Sequence, residues 1–215
     1  MHNIKDISFE PLVQSNYVKP LRMLYTQNGI RKAWDLLRIH DSVAVLLFNT
    51  TRKVFVFVRQ FRPAVYFDDI ADSDVNSPVD TDKYPVEKGF TIELCAGIVD
   101  KQKSLEEIAK DELLEECGYE VPLSVLHKIS THRSGIGVTG DRQTLFYAEV
   151  TDDMRKGPGG GIIEEGEFIE VIEMTVDEVK QYLASGDVRS PGGFLFALTW
   201  YLHNRLPASH KKDAV

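Results

Sequence analysis

This sequence offers little to a disulfide-stapled, membrane-spanning or nucleic-acid-binding protein. Cys95 and Cys117 are the only cysteines in 215 residues. Their spacing fits no metal knuckle or redox motif, so both are expected to be free, mostly buried thiols. No apolar run approaches the roughly 18 residues a membrane helix needs. The opening MHNIKDISFEPL lacks the apolar core of a secretory signal, which makes the cytoplasm the expected location. Basic residues are short as well: 25 Lys and Arg stand against 33 Asp and Glu, a formal net charge of −8. A nucleic-acid backbone would find no clustered positive surface here. A small phosphorylated ligand remains open if a cation intervenes. The six histidines have no ligand spacing, and neither they nor Trp200 are assigned chemistry.

What is present fits one sizeable soluble domain. With 43% hydrophobic and 27% charged residues, the chain can bury a single core and carry an appended arm. The reading is residues 1–42 as an N-terminal antiparallel β arm, 43–207 as the main α/β domain, and 208–215 as a frayed tail.

The most informative stretch is Gly97 to Tyr119, GIVDKQKSLEEIAKDELLEECGY. Gly97 is expected to allow a turn with positive φ. Ser104 with Glu107 three residues on is a capping box, so a helix starts near Leu105, and Gly118 is the glycine that ends it. At about 100° per residue Glu112, Glu115 and Glu116 share the arc that carries Leu105, Ile108 and Ala109. Like charges at these spacings repel, more so on a half-buried face. A hard, oxygen-loving cation, Mg²⁺ or Mn²⁺ rather than Zn²⁺, would relieve them. The plain alternative is a solvated acidic helix face.

Around this helix the chain reads as strands and loops. Tyr17 to Ser42 is expected as two antiparallel strands joined at Gln27-Asn28-Gly29. Its apolar content, with Tyr25 and Trp34, calls for a cover, either a second subunit or its own domain. Val43 to Asn49 and Lys53 to Arg59 read as a hairpin across Thr50-Thr51-Arg52. Arg62 follows, ahead of a pattern-breaking Pro63; its planar donor fork suits phosphate oxygens, although a lone Arg at a strand end is often a surface ion pair. Residues 67–89 are acidic, turn-rich and without periodicity, and are expected as a mobile surface insertion. Phe90 to Cys95 is a strand whose Glu93 can reach the same site. Strands Val125 to Thr131 and Gln143 to Val150 flank the glycine-rich HRSGIGVTGDR, a loop a ligand can approach closely. A second glycine loop, GPGGGIIEEGE, runs from Gly157 to Glu167 and feeds a strand over Phe168 to Met174. It carries Glu164, Glu165 and Glu167, candidates for a general base or simply solvated acids. Helices over Val176 to Ala184 and Phe194 to Asn204 read as packing elements.

The helix segment resembles a Nudix box, G-x5-E-x7-R-E-U-x-E-E-x-G-U with U aliphatic, matched at Gly97, Glu112, Leu113, Glu115, Glu116 and Gly118. Three positions depart: Lys103 and Asp111 stand where the family has Glu and Arg, and Tyr119 ends the box. The Lys103–Asp111 exchange is expected to keep the family's ion pair with its signs reversed. Further likeness runs through QNGIRKAWDLLRIHDSVAVLLFN, QFRPAVY, IELCAG, SGIGVTGDRQT and GPGGGIIEEGE. The chain is thus similar to the UDP-sugar diphosphatase branch of Nudix hydrolases, close to the ADP-ribose pyrophosphatases.

That resemblance implies an α/β/α Nudix sandwich with a mixed sheet, a homodimer exchanging its N-terminal arms, and Mg²⁺-dependent hydrolysis of a nucleoside diphosphate sugar. UDP-glucose would yield UMP and glucose 1-phosphate. Carried over by position, the Ala96 carbonyl, Glu112, Glu115 and Glu116 hold metal and Arg62 meets the pyrophosphate. Gly97, Gly137, Thr139, Arg142 and Trp34 complete the candidate substrate contacts, Trp34 either stacking on the base over the partner's site or serving as interface core. Glu165 aligns best as the base, then Glu167, with Glu164 also open. Two alternatives stand beside this: an ADP-ribose pyrophosphatase giving AMP and ribose 5-phosphate, and a Nudix-like nucleotide-binding module without hydrolysis.

Overall fold

A computed structural model describes residues 4–15 and 18–206. The expected tail over 208–215, and Tyr17 at the start of the expected arm, lie outside the described residues.

The main sheet is built on β3 (Ser42–Asn49), whose apolar run faces both ways. One half of β3 pairs antiparallel with β4 (Val54–Phe61) and the other with β6 (Cys95–Ile98), while β8 (Arg142–Val150) runs parallel along its far edge. The remaining strands, β5 (Phe90–Glu93) and β9 (Glu170–Thr175) on β4 and β7 (His127–Arg133) on β8, complete a seven-stranded mixed sheet.

Alternation along β3 and β4 sends Val43, Val45, Leu47, Val56 and Val58 to one face, against Ile108, Ala109, Leu113 and Cys117 of α2 (Leu105–Cys117). Ala44, Leu46, Phe55 and Phe57 go to the other, against Val179 of α3 (Val176–Ala184) and Phe194, Ala197, Leu198 and Tyr201 of α4 (Gly192–Asn204). A central strand covered on both sides reads as a continuous hydrophobic run, and each fully buried aliphatic or aromatic side chain contributes about 1.5–3 kcal/mol. The expected sandwich is therefore present.

The arm is also present, as its own two-stranded sheet of β1 (Lys19–Gln27) and β2 (Ile30–Arg38). Asn28 and Gly29 at its turn both have positive φ, 54° and 81°, the geometry of a tight two-residue hairpin. Leu21, Met23, Leu24, Ile30 and Trp34 remain exposed on it.

Three expectations are corrected. Pro63 does not merely interrupt: it begins α1 (Pro63–Asp68), where a missing N–H costs nothing and the fixed φ is already helical. The region 67–89 is not structureless either. Tyr66, Ile70 and Tyr84 are buried together against Ile7, Phe9, Phe61 and Val75. Tyr66 Oη donates to the Tyr84 carbonyl at 2.6 Å and Tyr84 Oη to Asp74 Oδ2 at 2.8 Å. This small aromatic cluster has no regular period, so the sequence pattern conceals it. The stretch Phe90 to Cys95 also breaks at Leu94 into β5 and β6, which pair with different strands.

Candidate active site

The carboxylate site starts from the two ends of α2. Ser104 Oγ accepts the Glu107 N–H at 3.2 Å while Glu107 Oε2 accepts the Ser104 N–H at 2.8 Å, fixing the helix start. At the other end Gly118 takes φ 76°. A Cβ there would stand 2.2 Å from the Gly157 carbonyl oxygen, so glycine is required twice over. Lys103 Nζ is hydrogen-bonded to Asp111 Oδ2, the ion pair expected from the reversed signs.

Between these ends Glu112 and Glu116 point toward β6. Glu116 is 5% exposed, and its Oε2 accepts the Ala96 N–H at 2.9 Å. Gly97 has no positive φ, correcting the expected turn. Its use is proximity: a Cβ would lie 2.1 Å from Glu112 Oε1, so β6 passes the carboxyl with room for a hydrogen only. Burial pushes the Glu116 carboxyl up to about 8, opposed by the Ala96 N–H and the Cys95 thiol and reinforced by the charges of Glu112 and Glu167. Glu112 is pushed up to about 7, first by burial and then by the Glu115 charge. The last turn of α2 carries no basic residue, so the negative end of the helix dipole adds to the excess.

Among the described residues no Lys, Arg or His forms a salt bridge with Glu112, Glu115, Glu116 or Glu167. No three His, Cys, Asp or Glu side chains among them stand as a ready-made cage. Crowded, desolvated oxygens of one sign beside the Ala96 peptide nevertheless form a donor set that fits a hard divalent cation.

The second glycine loop is sewn to this helix through backbone. The Gly160 and Gly161 N–H groups donate to the Glu116 and Glu115 carbonyls at 2.9 and 3.1 Å. Gly159, Gly160 and Gly161 all have positive φ. Glu167 Oε2 accepts the Ile162 N–H at 3.0 Å, and its charge is felt by Glu112, Glu116 and Arg62. Glu164, Glu165 and Glu167 are all exposed, the first two within the single 3-10 turn Ile163–Glu165. Of the three loop acids, Glu167 is the one whose charge acts on Glu112, Glu116 and Arg62.

Arg62 arrives from the end of β4 but not with a free fork. Its Nε and Nη2 donate to Glu93 Oε1 and Oε2, both at 2.7 Å, and Thr91 Oγ1 donates to the same carboxylate. Glu93 is buried, with 8% of its side chain exposed. The Glu93 partner has a sequence signal in the E-x-x-A-G spacing. The neighbouring cleft of about 620 Å³, which Arg62 and Glu93 line together with residues of 64–69, 88–91 and 188–191, has none.

The other candidates form a separate group. Trp34, 51% exposed, donates its Nε1–H to the Gly137 carbonyl at 2.7 Å, and the Leu37 N–H reaches the Val138 carbonyl at 2.9 Å. Thr139 Oγ1 packs on Gly135, and the Arg142 N–H is held by Asp41 Oδ1 at 2.8 Å. Arg142 begins β8 and Gly97 lies on β6, on opposite sides of β3, about 10 Å apart by strand spacing. The arm therefore rests on its own chain's 134–141 loop. Cys95 and Cys117 are free and buried, as expected. No helix of the described residues is long and apolar enough to cross a membrane.

No family model matches the chain. It is similar to the uridine diphosphate glucose pyrophosphatase of Mus musculus, 41% identical over 217 residues, covering 96% of this chain and 98% of that protein. The Bos taurus protein of the same name is 41% identical over 212 residues, with 94% and 95% covered. A GDP-mannose pyrophosphatase of Escherichia coli K12 is 33% identical over 173 residues, 80% of this chain and 76% of that one.

Proposed function

This chain belongs to the Nudix hydrolase family, and from that premise we propose that it hydrolyses the pyrophosphate bond of UDP-glucose to UMP and glucose 1-phosphate. The broader activity, hydrolysis of nucleoside diphosphate sugars, is what its relatives' names have in common. One structural observation supports the reading: a buried Glu116 and a half-buried Glu112 sit one helical turn apart, neither in a salt bridge among the described residues, on a helix whose carbonyl end adds to the negative charge.

Glu112, Glu115, Glu116 and the Ala96 carbonyl would hold Mg²⁺, or Mn²⁺. When bound, the metal supplies charge neutralisation for the pyrophosphate and acidifies water. The remaining work belongs to side chains. Arg62 offsets pyrophosphate charge with donors beyond the two held by Glu93, which keeps the guanidinium plane oriented. Glu167, fixed by the Ile162 N–H, accepts the proton of the attacking water. Displacement at phosphorus then needs little beyond alignment and charge complementarity.

The arm supports a composite dimer, and the cytoplasm is its proposed location. Trp34 and the 134–141 loop are joined to each other, and the exposed apolar side chains of β1 and β2 need a cover. In a homodimer with exchanged arms this unit would serve the partner's site, Trp34 stacking on uracil. Initial rates with UDP-glucose and ADP-ribose, each with Mg²⁺ and with EDTA, test the function. Metal-dependent turnover preferring UDP-glucose is expected. A preference for ADP-ribose would replace the substrate, and no turnover of either would leave a binding module.

A further inference from the structure

The insertion over 67–89 has so far no role, yet it is folded and it walls one side of the cleft at Arg62. We propose that this cleft is the subsite for the hexose of the nucleotide sugar, read by Asp68, Lys88, Arg189 and Ser190. The inference rests on the hydrolase reading above and names the part of the substrate that reading leaves unplaced.

The cleft measures about 620 Å³, within the range of small-molecule sites. Its lining contains no aromatic side chain, so it offers no platform for a base. It combines carboxylates, an ammonium, guanidinium groups and hydroxyls. That is the mixture that recognises a ring of hydroxyls, each of which donates one hydrogen bond and accepts others.

Position agrees with composition. Arg62 forms the shared wall: it lines the cleft and also feels the charges of Glu116 and Glu167. A pyrophosphate held there between the carboxylate cluster and the cleft would send its sugar into the cleft and its nucleoside the other way.

The walls are fixed before any ligand arrives. Arg189 Nη1 donates to the Lys88 carbonyl at 2.7 Å and the Ile92 N–H to the Arg189 carbonyl at 3.0 Å, tying the segment before α4 to the insertion. Ser190 Oγ is 3.0 Å from Tyr182 Oη. The Tyr66–Ile70–Tyr84 cluster anchors α1, which places Asp68 at the rim. The Asp68 carboxylate has no hydrogen bond or ion pair among the described residues, so it is available to a ligand. Such preorganisation lowers the ordering cost of binding.

The test compares kcat/KM for UDP-glucose with that for uridine 5′-diphosphate methyl ester, which keeps the pyrophosphate but lacks the hexose. Wild type is expected to favour UDP-glucose, and Asp68→Asn and Lys88→Gln to reduce that ratio by about tenfold each, mainly through the KM for UDP-glucose, as expected when hydrogen bonds to a substrate hydroxyl are lost. Glucose 1-phosphate should inhibit Asp68→Asn more weakly than wild type, with inhibition by UMP unmoved. A wild-type ratio near one, or a ratio unchanged in both variants, overturns the subsite while leaving the hydrolase reading intact. Hydrolysis of neither compound by wild type removes the hydrolase reading and this inference with it.

Discussion

Without a divalent cation, raising the pH should destabilise this fold through Glu116. Its carboxyl is held protonated up to about 8 and that of Glu112 up to about 7, against an ordinary value of 4.5. Between those limits the folded chain binds more protons than the unfolded one, so stability is fully present below about 4.5 and falls as pH rises toward about 8. For Glu116 the ceiling is about 5 kcal/mol at 1.36 kcal/mol per tenfold. Relaxation and water entry bring the effective cost of ionising it to about 2–3 kcal/mol. Glu112, more open to solvent, adds only a screened fraction.

In a chain of this length 1 kcal/mol moves Tm by about 2–4 °C, so melts in EDTA should drop by about 5–10 °C between about pH 5.5 and 8.5 from this source. Mg²⁺ should recover most of the loss at the upper pH and little at the lower, because only the ionised pair attracts it. Glu116→Gln retains an acceptor for the Ala96 N–H and removes the titration, so its EDTA melts should depend less on pH. Wild-type melts in EDTA that are flat across the range, or a Glu116→Gln slope equal to wild type, would refute the reasoning.

The remaining expectations concern activity. Glu167→Gln should lower kcat about 100-fold, as loss of a general base does, while Glu165→Gln and Glu164→Gln stay within about threefold; equal losses among the three would remove Glu167 from the role. Lys103→Glu should impair turnover through repulsion from Asp111, and adding Asp111→Arg should restore much of it; additive effects in that cycle would end the reversed-pair idea. Trp34→Leu should raise KM for UDP-glucose with the dimer retained, measured by sedimentation and initial rates on one preparation; a dissociated variant with unchanged KM would make Trp34 an interface residue and nothing more.

What could be read from the sequence was whatever is local and periodic. The capping box at Ser104, the glycine stop at Gly118, the hairpin at Asn28-Gly29 and the two-faced apolar run of β3 are each specified by a few neighbouring residues, and each is present. The Lys103–Asp111 pair was legible through the resemblance, whose box pairs those two positions; Lys103 stands just before the Ser104 cap and Asp111 within α2. The Tyr66–Ile70–Tyr84 cluster was not, because it gathers side chains from several irregular segments, including Ile7 and Phe9 from the far N-terminus. Arg62 reads in sequence as a phosphate contact or an ion pair, and its capture by Glu93 crosses two strands and depends on the register of Val58 with Glu93.

The choice among the loop glutamates shows why spacing alone could not finish the site. Glu164, Glu165 and Glu167 crowd one loop end, where the resemblance ranks Glu165 first; in the fold their places depend on how Gly159–Gly161 dock on the end of α2. A Cβ on Gly159 would stand 2.3 Å from the Glu116 carbonyl oxygen, and one on Gly161 2.8 Å from the Glu167 Cβ. These glycines let the loop backbone reach the carbonyls of the residues whose carboxyls make up the cluster. The same two residues of α2 thus contribute side chains to the charge cluster and main chain to the loop's anchorage. Any shift of the helix end must move Glu116 and Glu167 together, so the separation between Glu167 and the carboxylate cluster is held by backbone hydrogen bonds rather than by the loop's own stiffness.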